Sequence, residues 1–75
     1  MRQAAFDSSQ LTRIQSAAGV VADALGAVKA NDRLLVYRAI FDIAQESGVC
    51  ESTLLADMGR EQLNPKFGWQ FSREG

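Results

Sequence analysis

Residues 11–28 read LTRIQSAAGVVADALGAV. The apolar positions Leu11, Ile14, Ala18, Val21, Leu25 and Val28 are separated alternately by three and four residues. That spacing keeps all of them on one side of a helix and makes a heptad seam. A domain of this size removes only about 60% of its unfolded surface from water. Such a stripe must therefore meet a neighbouring helix, either in the same chain or in a second copy. The six residues are expected to form the core seam, a self-association surface, or both.

The flanks of this stretch define the helix that carries it. Asp7 followed three residues later by Gln10 has the form of a capping box, and Phe6 and Leu11 stand where a hydrophobic staple would. The helix is predicted over 8–29, with Lys29 in the last turn against the negative end of the dipole. Ala18, Ala22 and Gly26 recur every four residues, with Gly19 and Ala27 beside them. Small residues in such a row let another backbone come close. Glycines inside a helix also weaken it by up to about 1 kcal/mol each, a loss that packing must offset.

Downstream, Ala30-Asn31-Asp32 reads as a tight turn, with Asn31 or Asp32 capping a second helix over 33–47. Val36, Ala39, Ile40, Ile43 and Ala44 give it a wide apolar face, extended by Leu35 and Phe41. Arg38 and Asp42 can pair on the wet side. Ser47-Gly48 stops it, glycine being suited to a left-handed cap. A third helix is predicted over 52–63, capped by Ser52, with Leu54, Leu55 and Met58 inward. Gly59 is a possible early break, and Asn64-Pro65 the latest stop. Beyond it Phe67, Trp69 and Phe71 alternate with a period of two, the pattern of an extended segment with one aromatic face. The expected architecture is all-α: one small three-helix domain, with a long first helix, an antiparallel second, a shorter third and an extended aromatic tail.

Composition narrows the function. The single cysteine, Cys50, rules out an internal disulfide, and the chain has no histidine. One thiol among scattered carboxylates makes no zinc site, so neither metal nor cofactor is expected. Missing histidine also removes the commonest general base and any partner to activate Cys50. No enzyme is expected. Eight basic against nine acidic residues, well mixed, give a net charge of −1. The longest apolar stretch, 17–28, holds Asp23 and is too short to cross a bilayer. No apolar signal core follows the first residues. The expected setting is the cytoplasm, with a reduced thiol and no membrane partner.

Residues 43–55 resemble a helix-turn-helix: Ala44 where the first helix needs a small residue, Gly48 at the turn, Val49 as its apolar plug, then Ser52 and Thr53 at the start of a recognition helix. Ser47 and Asp57 stand where apolar residues are usual. The second helix also sets Glu51, Asp57 and Glu61 against Arg60, a poor surface for phosphates. The favoured expectation is a small non-catalytic protein–protein interaction or regulatory module, binding another protein or pairing with itself as a homodimer. Its partner-binding residues would be Tyr37, Phe41, Phe67, Trp69 and Phe71, because aromatics dominate interface energetics. The alternative is a DNA-binding transcriptional regulator using residues 43–58, with Ser52, Thr53 and Arg60 as contacts.

Overall fold

The computed structural model describes residues 6–67. It contains three helices, α1 (Ser8–Leu25), α2 (Ala30–Ser47) and α3 (Ser52–Phe67), each packed against the other two. Among the described residues there is no strand. The all-α three-helix expectation holds, and the helix ends carry most of the corrections.

α1 starts as its sequence requires. Asp7 has extended backbone, its Oδ1 accepts the Gln10 N–H at 2.8 Å, and Gln10 Oε1 accepts the Asp7 N–H at 3.0 Å. The reciprocal bonds satisfy two donors that a helix start leaves open. Phe6 reaches past α1 to meet Phe41 of α2 edge-on, with centroids 5.7 Å apart and planes at 78°.

The far end of α1 departs from the reading over 8–29. Gly26, taken as helix interior, sits at φ 81° and ψ 21° and caps the helix, its N–H shared between the Ala22 and Asp23 carbonyls. The Ala27 N–H returns to the Ala22 carbonyl at 2.9 Å, and Ala27 is buried. This left-handed closure costs an L-residue about 1–2 kcal/mol and glycine almost nothing. The helix therefore stops at Leu25, and Val28, expected in the seam, is 77% exposed. Leu11, in the second turn, is 37% exposed.

Lys29 occupies the cap of α2, its carbonyl accepting the Arg33 N–H at 2.9 Å. α2 consequently begins at Ala30, three residues earlier than predicted, and Asn31 and Asp32 lie inside its first turn, where Asp32 suits the positive end of the dipole. Arg33 closes the corner: Nη1 donates to Asp23 Oδ1 and to the Ala27 carbonyl, both at 2.9 Å. Among the described residues the ion pairs are Asp23–Arg33 and Asp57–Arg60, not the expected Arg38–Asp42. The contacts Asp23–Arg33, Gly19–Tyr37 and Phe6–Phe41 descend along α1 as they ascend along α2, so the two helices are antiparallel.

Gly48 ends α2 at φ 76°, donating to the Ala44 carbonyl at 2.8 Å. Ser47 Oγ donates to the Ile43 carbonyl at 2.7 Å and accepts the Val49 N–H at 3.2 Å. The first bond of α3 runs from Leu55 N–H to the Glu51 carbonyl at 2.9 Å. Glu51 thus holds the cap position, and Ser52 is the first helical residue. α3 passes both expected stops. Pro65 lies inside the helix, which continues through it to Phe67; with no N–H it cannot donate to the Glu61 carbonyl.

Gly59 does not break α3; it seats it. A Cβ there would collide with Ile40 Cδ1 and come within 3.1 Å of Val21 Cγ2. All three helices meet at this point. The core comprises Ile14, Ala17, Ala18, Val21, Ala22 and Leu25 of α1, Val36, Ile40, Ile43 and Ala44 of α2, Leu55, Ala56 and Leu63 of α3, and Ala27. The four middle seam residues, Ile14, Ala18, Val21 and Leu25, are therefore buried within the chain. Seating α3 on Gly59 turns its buried face one position beyond the predicted one. Leu55, Ala56 and Leu63 point in, whereas Leu54, expected inward, is 55% exposed. Leu35, expected to widen the face of α2, is likewise exposed.

Candidate interaction site

Turning Leu54 outward opens an apolar groove of about 750 Å³ between the C-terminal turn of α1 and α3. Ala24 and Leu25 form the α1 wall, Leu54 and Met58 the α3 wall, and Val49 adds to the lining from the α2–α3 turn. Leu25 is buried; Met58 and Val49 are half-buried and packed against the core. Asp57, Arg60, Glu61 and Asn64 line the same groove and supply its polar groups. Asp57 and Arg60 pair across one helical turn, leaving Glu61 as the excess charge on the α3 rim. A shallower depression alongside is lined by Ser16, Val20, Ser52, Thr53 and Ala56, and shares Asp57 and Arg60. Val20 there is 49% exposed.

The residues expected to bind a partner are distributed differently. Tyr37 and Phe41 are brought together, half-buried against the core, in a groove of about 380 Å³ between α1 and α2 that also holds Leu11 and Ile14. Packing closes much of their surface: Phe41 meets the Phe6 ring edge to face, and a Cβ on Gly19 would lie 3.2 Å from the Tyr37 hydroxyl. Arg33 is held above its already high ordinary pKa by hydrogen bonding to Asp23 first and Tyr37 second. It remains charged at any ordinary pH and serves as a clamp. Phe67 is half-buried in the last turn of α3, with Lys66 Nζ 5.8 Å from its ring centroid, so the extended alternation does not begin there. Trp69 and Phe71 lie outside the described residues.

Ser52, Thr53 and Arg60 do come together, in the depression facing α1. Arg60 is committed to Asp57. The preceding corner has the expected shape, with left-handed Gly48, buried Ala44 and Val49 packed on the core. Among the described residues no group of His, Cys, Asp and Glu is arranged to hold a metal ion, and no helix is long and apolar enough to cross a membrane. Cys50 is a half-buried free thiol in the α2–α3 turn.

The groove on α3 was the surface that sequence reasoning missed. Its signal was the adjacent pair Leu54-Leu55: consecutive helical residues lie about 100° apart, so one of the two had to leave the centre of the buried face. Comparison with protein families, with curated proteins and with solved structures finds no match to this chain.

Proposed function

We propose that the protein is a small, non-catalytic interaction module that offers the α1–α3 groove to another polypeptide, either a different protein or a second copy. The observation that supports this reading is Leu54, a large aliphatic side chain left more than half exposed beside Met58, Val49 and Ala24 while the core behind it is closed. An apolar floor with a polar rim is the usual anatomy of a protein-binding patch. DNA binding has weaker support: α3 carries only Arg60 and Lys66 as cations, and the first is neutralised by Asp57.

The test compares the wild type with Leu54→Glu and with Leu34→Glu, a control at an exposed leucine that does not line the groove. Purification from cells and sedimentation velocity read partner retention and self-association. Leu54→Glu should lose at least tenfold in affinity for any partner or second copy, whereas Leu34→Glu should bind as the wild type does. Equal binding by all three proteins, with both variants folded by circular dichroism, overturns the groove as the binding surface.

A further inference from the structure

The α1–α3 groove has an apolar floor and an anionic end, and the two together define what it can hold. We propose that its occupant is a short amphipathic helix of a different protein, with an apolar stripe seated on Leu54, Met58 and Ala24 and a lysine or arginine set against Glu61. This rests on the groove being a polypeptide-binding surface and names the chemistry of the partner.

The shape favours a helix. Leu54, Met58 and Glu61 are spaced four and three residues apart, so they line the groove as one row along α3. A partner whose contacts recur every three to four residues follows such a row, as helices packed into grooves do. From Leu54 to Asn64 is ten helical residues, about 15 Å, which three turns of a second helix cover. Ala24 on the α1 wall carries only a methyl group, so a backbone can approach closely there. Met58 on the facing wall is unbranched and adapts readily to a neighbour. An extended peptide finds no sheet edge to join, since there is no strand among the described residues.

The charge favours a cation. Of the ionised groups that line the groove, Asp57 and Arg60 pair with each other, and Glu61 has no cation within pairing distance among the described residues. The end of α1 adds to this. Val21 lies beside Gly59, and Ala24 shares the groove with Glu61 and Asn64, so α1 and α3 run the same way and α1 ends close to Glu61. α1 has no basic residue in its last turn. Its Ala22 and Asp23 carbonyls are met by the Gly26 and Ala27 N–H groups, whereas those of Ala24 and Leu25 accept no hydrogen bond among the described residues. Open carbonyls at a helix C-terminus carry partial negative charge and attract a cation. Arg33, which does not line the groove, is already matched by Asp23. A second copy laid groove to groove supplies no uncommitted cation, because the arginine it would bring is the one bound to Asp57. A foreign helix with a basic residue beside its apolar stripe meets both features at once.

The probe is a displayed library of helices of about fourteen residues, long enough to cover the groove, with a fixed leucine stripe and Lys, Glu or Gln at each flanking position. Selection uses the full chain, and fluorescence anisotropy then measures the recovered peptides. They should carry Lys over Glu by about fivefold or more, the scale of one exposed ion pair, and bind more weakly as salt is raised. Glu61→Lys should invert the preference toward Glu. Leu54→Gln, which removes the apolar anchor without adding charge, should weaken every recovered peptide at least tenfold; Leu34→Gln should weaken none. Circular dichroism checks that each variant is folded. Peptides that depend on Leu54 but show no preference for Lys, or a preference untouched by Glu61→Lys, overturn the basic partner and leave the groove standing as a binding surface. Peptides indifferent to Leu54, or none recovered on folded protein, overturn both readings. Self-association in sedimentation velocity that Leu54→Gln abolishes places a second copy in the groove and likewise overturns the proposal.

Discussion

At the scale of single residues, position 59 is the most constrained. The missing Cβ of Gly59 leaves space already filled by Ile40 Cδ1 and closely bordered by Val21 Cγ2. Both neighbours are fully buried, so neither can swing into solvent. Alanine would gain about 1 kcal/mol of helix propensity, but overpacking a closed core costs about 1–3 kcal/mol. Gly59→Ala is expected to lower stability by about 1–2 kcal/mol in urea titration. Ile40→Val removes the atom that the new methyl would meet, and alone costs about 0.5–1.5 kcal/mol. The double variant should lose clearly less than the sum of the two, since residues in contact do not add. Strict additivity would show that Ile40 is not what fills the space beside Gly59.

At the scale of elements, the helix starts and stops decide how the chain is cut. The Asp7–Gln10 box is the clearest case, with both bonds formed. Asp7→Ala should cost about 1 kcal/mol, read as a lower denaturation midpoint with an unchanged urea slope. An unchanged midpoint would mean that α1 does not depend on its cap. This start was legible in the sequence because a capping box is a local pattern. So were the three helices, their antiparallel first turn-back, the Gly48 stop and the middle of the α1 seam, since periodicity fixes which residues can share a face. The end of α1 was not legible. Ala27 and Val28 continue the apolar rhythm past Gly26, and only the packing of Ala27 and the bond from Arg33 to its carbonyl show that the chain has already turned. The inward face of α3 was misread for a similar reason. Leu54, Leu55 and Met58 form a plausible stripe, and choosing the correct rotation required knowing that Gly59 lies against two other helices. The candidate groove follows from that rotation, so it was hidden along with it.

At the scale of the whole molecule, the charge balance and the absence of histidine set the response to solution conditions. The chain has no imidazole, the one side chain whose ordinary titration falls between pH 5 and 8. Arg33 has its pKa raised in the folded state. A raised value gives stability that is complete below the ordinary arginine range and lost only in strong alkali. The melting temperature should therefore stay level between pH 6 and 7.5. A sloping profile in scanning calorimetry would point to a titrating group that the described residues do not reveal.

The seat at Gly59 has a further consequence for how the molecule comes apart. Because α1, α2 and α3 touch at one place through Val21, Ile40 and an absent side chain, no two of them make a finished interior without the third. Peeling away any one helix uncovers the others at their most oily point. Partial openings confined to a single helix are thereby penalised, and the protein stands or dissolves as a unit, with fraying limited to the turns outside that junction.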